Sequence, residues 1–219
     1  MIFFLSRARA GKKASQLSIG ESLWLMENDE LTEYFVVQQG NPNNTVYTDG
    51  GANGTWILRK DVANFGTYRQ ILTDQLSNGT YLARFPAEVQ NALREVTLPR
   101  YYETTVEVSK SCTSKVHLPS VVEVGGTGSN SFAPTFVLEF FRGASNEDRI
   151  AYLDGTATPY WLWEYIVVTI DGTPSHTYHS VKASGEISAV TITNGPKCRP
   201  MMILDPDTKF DRDNIFVGL

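Results

Sequence analysis

Tyr160-Trp161-Leu162-Trp163 opens, and Lys197-Cys198-Arg199-Pro200-Met201-Met202-Ile203-Leu204 closes, the stretch on which the fold turns. Between them lie two β-branched runs, Ile166-Val167-Val168-Thr169-Ile170 and Val190-Thr191-Ile192-Thr193, set apart by Asp171-Gly172, Ser184-Gly185 and Asn194-Gly195. Short β-formers bounded by turn dipeptides are the signature of antiparallel strands. Arg199-Pro200 leading into Met-Met-Ile-Leu reads as a final buried strand with Arg199 at its mouth. A guanidinium there carries five fixed donors and can hold several loop carbonyls together.

Working outward, 219 residues with 42% hydrophobic and 20% charged side chains are enough to bury a large core, so the chain is not wholly disordered. The net charge of −5 argues against a surface for duplex nucleic acid, whose affinity rests on Lys and Arg neutralising phosphates. No apolar run approaches the ~18 residues of a membrane span, and Met1-Ile2-Phe3-Phe4-Leu5 is too short for the core of a secretion signal. We therefore expect residues 1–15 to be an arm and residues 16–219 a single domain. Phe3, Phe4 and Leu5, followed by Arg7, Arg9, Lys12 and Lys13, are either a frayed end or a docking arm inserted into a neighbouring subunit.

Strand formers flank Asn28-Asp29, a hairpin signal, and Gly40 to Gly54 is dense in Gly, Asn, Asp, Pro and Thr and reads as loop. Trp56-Ile57-Leu58 forms a short strand. Helical spacing occurs at about residues 68–78, which stop at Asn78-Gly79, and at about residues 86–96, where Pro86 takes the first helical position and Val89, Ala92, Leu93 and Val96 share a face. Tyr101 to Ser109 alternates like a half-exposed strand, Val121 to Val124 reads as another, and Phe136 to Phe141 belongs in the core. The whole is α+β: loop-rich antiparallel sheets with two short helices.

Catalytic motifs are few. Gly126-Thr127-Gly128-Ser129 lacks the strand-to-helix setting of a nucleophile elbow, and no Lys-Ser/Thr follows to make a phosphate loop. His117, His176 and His179 have no Cys partners at zinc spacing, and Asp205-Pro206-Asp207 with Asp211-Arg212-Asp213 departs from calcium-loop spacing, so neither metal nor cofactor is expected. Cys112 and Cys198 read as two reduced thiols, the alternative being one bridge from mid-chain to the last strand. Trp163, Glu164, Tyr165, His176, Tyr178 and His179 put aromatics and polar groups in one loop-rich region, the composition of a ligand-recognition surface. Trp161, with Trp56, Arg199 and Pro200, is assigned to the framework; Trp163 stands open between core and surface.

The same residues resemble a known family. The Trp161-Leu162 segment and the Arg199-Pro200 strand are similar to the closing segments, Trp-Leu-Arg-Ser-Pro and Gly-Val-Arg-Pro-Ala-Leu, of an uncharacterised domain in phages and prophages of Gram-positive bacteria. Gln38 to Pro42, Asn53 to Asp61, Ala92 to Pro99, Ser111-Cys112, Lys115 to Ser120 and Glu123 to Gly125 look like further segments in family order. Trp163-Glu164 stand where the family has Arg-Ser, and Lys197 where it has Gly. That domain is similar in turn to the C-type-lectin-like fold.

The resemblance implies a bacteriophage virion structural protein assembled in the host cytoplasm: a tail, baseplate or head-decoration component. It would be a homo-oligomer that meets other virion proteins through its arm and binds a host-surface glycan or protein, without an enzymatic activity. The alternatives are a prophage-derived bacterial ligand-binding domain with no virion role and, third, an oxidase of the formylglycine-generating type. That last reading needs a reactive cysteine, and the cations beside Cys198 point away from it in an extended strand.

Overall fold

A computed structural model describes residues 11–65, 79–98, 112–127, 136–170, 173–191 and 197–219, with backbone only at 112, 164–170, 173–177 and 190–191. Its strands are β1 (Ser22–Glu27), β2 (Glu30–Gln39), β3 (Thr55–Arg59), β4 (Val96–Leu98), β5 (Cys112–Ser114), β6 (Val116–His117), β7 (Tyr152–Leu153), β8 (Thr156–Ala157), β9 (Tyr160–Ile170), β10 (Thr173–Val181), β11 (Ile187–Thr191), β12 (Met201–Leu204), β13 (Lys209–Phe210) and β14 (Phe216–Gly218). The architecture is β-rich and its sheets are antiparallel. A five-stranded sheet in the order β1-β2-β3-β12-β6 is accompanied by a three-stranded sheet, β11-β10-β9, and three two-stranded ribbons.

Strands β3 and β12 and the second half of β2 are buried on both faces, which explains why they read as apolar runs, whereas edge strand β1 alternates. Tyr34, Val36, Ile57, Met202 and Leu204 point into one cluster, which Val89 and Ala92, Tyr81, Phe85, Trp161 and Trp163 complete. Their neighbours Phe35, Val37, Trp56, Leu58, Met201 and Ile203 point into a second cluster with Tyr47, Val124, Leu138, Phe141, Tyr160 and Leu162. Strand β9 thus splits Tyr160-Trp161-Leu162-Trp163 between the two clusters, because successive side chains leave a strand on opposite sides. At ~1.5–3 kcal/mol for each large apolar side chain buried, these clusters dominate the folding energy.

Local chemistry sets the turns. Glu27 pairs with Glu30 across Asn28-Asp29, and both turn residues have positive φ, 50° and 63°. A two-residue type I′ turn needs that conformation, and Asn and Asp are the non-glycine residues that tolerate it best.

Several expectations need correction. The helix expected at about 86–96 is α1 (Ala87–Ala92), with Pro86 as its N-cap rather than its first helical residue. Leu93 turns extended because the sheet captures the segment after α1: Leu93 bridges Leu204, Arg94 N donates to Ile203 O at 2.7 Å, and Val96 begins β4. Val121 to Val124 is a turn and not a strand. Ser120 and Glu123 form a reciprocal cap, Glu123 N donating to Ser120 Oγ at 3.0 Å and Ser120 N to Glu123 Oε2 at 2.6 Å. Strand β12 is not the last, since β13 and β14 pair after it. The helix expected at about 68–78, the strand from Tyr101 to Ser109, and Phe3, Phe4, Leu5, Arg7 and Arg9 of the arm lie outside the described residues.

Candidate functional site

Two buried arginines and the buried carboxylates of Glu27 and Glu123 fix the loops around the sheet. Arg199, 2% exposed, donates to Arg59 O and Lys60 O at 2.9 Å each, to Arg149 O at 3.2 Å and to the Tyr160 hydroxyl at 3.1 Å. Its guanidinium also lies over the rings of Phe35 and Tyr160. Arg149 gathers a second set of loops, donating to Val124 O at 2.7 Å, Ser145 O at 3.2 Å, Asn146 Oδ1 at 3.0 Å, and Gly125 O and Ala144 O at 3.4 Å.

Glu27, at the end of β1 and 2% exposed, takes Arg59 Nε and Arg84 Nε at 3.1 Å each, with the hydroxyls of Tyr34 and Tyr81 at 2.8 and 3.0 Å. Four donors around one carboxylate are what a buried charge requires. Burial raises the pKa of both tyrosines well above the ordinary range.

The loops held by Arg149 face the β10–β11 hairpin across a cleft of about 410 Å³, lined among others by Thr127, Asn146, Arg149, His179, Glu186 and Ser188. The hairpin is seated tightly. Gly185 has φ +80°, and a Cβ there would stand 1.8 Å from Asn146 O, so only glycine fits the turn against that loop. Lys182 pairs with Glu186 at 2.9 Å across the same turn. Ser188 Oγ is buried beside the cleft without a partner among the described residues. The cleft therefore sets polar groups, Thr127, Asn146, His179 and Glu186, beside apolar Val121, Ile187 and Ala189, on loops that the guanidinium of Arg149 holds in place.

The sequence-derived ligand residues divide in the structure. Trp163 and Tyr178 are each 5% exposed and pack in the core with Trp161, whose ring meets that of Tyr178 edge-on at 6.0 Å. His179 lines the cleft. The backbones of Glu164, Tyr165 and His176 lie in β9 and β10, with Tyr165 opposite Tyr178 and His176 opposite Val167, and for these three only the backbone is described. Of the framework residues, Trp56 is fully buried and donates Nε1 to Ala52 O at 2.9 Å; Pro200 is also buried.

Asn146, Arg149, Glu186 and Ser188 were not legible as site residues. Two signals pointed toward their neighbourhood: the Ser120-x-x-Glu123 cap, which marks a turn, and the Ser184-Gly185 hairpin dipeptide.

Cys198 is a free thiol, fully buried, and burial pushes its pKa far up from the ordinary thiol range. Among the described residues no cluster of three or more His, Cys, Asp or Glu could hold a metal ion. Asp205 and Asp211 instead accept from the backbone N–H two residues ahead, at Asp207 and Asp213, 2.9 Å each. No described helix is long and apolar enough to cross a membrane.

No curated protein and no solved structure matches the chain. Residues 53–206 match the Domain of unknown function (DUF6273), whose span takes in β3, both buried arginines, the cleft and β12. With well over half of its length so matched, the chain belongs to that family of uncharacterised domains.

Proposed function

We propose that this protein is a non-catalytic recognition module of the C-type-lectin-like type, displayed on a phage or prophage particle and binding a host-surface or particle-surface ligand in the cleft beside the β10–β11 hairpin. The observation that carries the reading is the cleft itself: a concavity lined by Thr127, Asn146, His179 and Glu186 together with apolar Val121 and Ile187, on loops that Arg149 holds fixed. Pre-organised polar groups of this kind bind with little ordering cost, which suits a display protein. The resemblance of the Trp161-Leu162 and Arg199-Pro200 segments to a phage domain supplies the particle and the lectin-like class. The deep burial of Cys198 supports a binding role over an oxidase, since a thiol held protonated is a poor nucleophile.

In this reading residues 1–10 carry the module on its assembly, with Phe3, Phe4 and Leu5 as apolar anchors and Arg7 and Arg9 beside them, while Lys12 to Ser15 are bound to the domain at Phe210, Thr208 and Pro206. The test pairs two measurements on purified particles. Negative-stain imaging with a labelled antibody should place the protein on the particle surface, and deleting residues 1–10, which leaves the Lys12 and Lys13 contacts with the domain intact, should abolish its incorporation. Binding of intact particles to host cells should fall at least tenfold with Ser188→Leu, which fills the cleft. Full incorporation of the truncated protein sinks the arm, and unchanged cell binding sinks the cleft.

A further inference from the structure

A second concavity, of about 540 Å³, lies in the loop between β2 and β3 and is lined by Asn41, Asn44, Tyr47, Thr48, Gly50 and Asn53. The lining carries three amides and a hydroxyl, with no charged side chain. The tyrosine contributes no apolar platform, being 1% exposed.

The loop's backbone is tied down from inside. Gly40 N donates to Gly54 O at 2.9 Å, closing its base, and Tyr47 N donates to Asn43 O at 2.9 Å. Asn41 Nδ2 donates to Tyr47 O at 2.8 Å, and Arg94 donates to Gly51 O at 3.2 Å and Gly50 O at 3.1 Å. The Tyr47 hydroxyl donates to Glu123 Oε1 at 2.9 Å, anchoring the loop in the core. Gly54 and Gly51 sit so close to Leu204 O and Glu95 O that a Cβ would stand 2.3 and 2.1 Å away. Against this inward bonding, the exposed side chains of Asn44, Thr48 and Asn53 make no hydrogen bond to any described residue. Rigid backbone and idle polar side chains meet at one cleft.

The chemistry of those groups selects the ligand. An amide presents one acceptor and two donors in a plane, and a hydroxyl is both donor and acceptor. Adjacent hydroxyls of a sugar ring need that pairing, because each gives one hydrogen bond and takes another. A carboxylate or phosphate would find no cation in the lining, and a cation no free carboxylate: Asp49, next in the chain, already accepts from Gly51 N at 3.0 Å and from Thr97 N. An apolar peptide side chain would meet a lining that is mostly polar. We infer that the Asn41–Asn53 cleft is a metal-independent binding site for an uncharged saccharide with adjacent free hydroxyls, distinct from the cleft beside the β10–β11 hairpin.

Saturation-transfer NMR on the full-length protein, with the methyl glycosides of glucose, galactose and N-acetylglucosamine as probes and methyl glucuronide as the charged comparison, tests this directly. At least one neutral glycoside should show transfer that EDTA leaves unchanged and that the glucuronide does not reproduce. The double variant Asn44→Ala/Asn53→Ala should weaken that binding at least tenfold with its melting temperature unaltered, since neither side chain is bonded within the described structure. Ser188→Leu, in the other cleft, should leave it intact. Absence of transfer from all three neutral glycosides, retention of binding in the double variant, or loss with Ser188→Leu would each overturn the inference, and none of these results bears on particle incorporation.

Discussion

Replacing Arg199 with alanine removes one side chain and unties three segments. Arg149 O keeps the Tyr160 hydroxyl as donor at 3.0 Å, but the carbonyls of Arg59 and Lys60 lose the donors that Arg199 supplies at 2.9 Å. Both acceptors are only part-buried, so each costs less than the ~1–3 kcal/mol of a fully buried orphan, but the contact with the Phe35 and Tyr160 rings goes as well. Part of this is returned, because the guanidinium no longer has to be held out of water. The net loss is about 2–4 kcal/mol, which for a chain of this size lowers the melting temperature by ~5–15 °C. Arg199→Lys should fall between the two proteins, since an ammonium lacks the planar fork that reaches both carbonyls. Thermal unfolding monitored by far-ultraviolet circular dichroism measures all three. An alanine variant melting within about 2 °C of the parent, a change worth under ~1 kcal/mol, would show that the arginine ties nothing together.

Two other buried groups give measurable effects. Glu27→Gln leaves Arg59 and Arg84 facing a neutral amide, and urea unfolding should show a loss of about 3–5 kcal/mol; a loss under ~1 kcal/mol would mean the charges relax to solvent. The Cys198 thiol holds its proton to higher pH in the folded chain than in the unfolded one, so above pH 9.0 the unfolded state binds fewer protons. Stability is then complete below that pH and falls as pH rises, by about 1.4 kcal/mol per unit from this group, with Tyr34 and Tyr81 adding to the loss above pH 10.0. Cys198→Ala should flatten the decline of the urea midpoint between pH 9 and 10; an identical slope in both proteins would refute it.

Strands were the most readable part of this chain, because β-branched runs between turn dipeptides specify local geometry wherever they sit. Asn28-Asp29 is an example, its two residues taking the left-handed conformations that the hairpin demands. Residues 93–96 were less readable. Their helical spacing is real, but hydrogen bonds to β12 override it, and no local pattern reveals a partner more than a hundred positions away. Val121 to Val124 failed for a different reason: β-branched composition masked a Ser-x-x-Glu cap that controls the turn. The clefts were least readable of all. Asn44, Thr48 and Asn53 lack periodicity, and their convergence depends on how Arg94, Glu123 and β12 hold the loop from below.

Strand β12 lies inside the sheet, between β3 and β6, although it is made long after both. A ribosome adding ~5–20 residues per second takes roughly 7–30 s to travel from the end of β3 to the end of β12. Throughout that interval β3 presents an unpaired edge whose side chains, Trp56, Ile57 and Leu58, are among the most apolar in the sheet. Such an edge recruits whatever strand arrives first, including that of a neighbouring nascent copy. Chains cut short before Met201 keep the edge open indefinitely, and should aggregate where the longer chain folds.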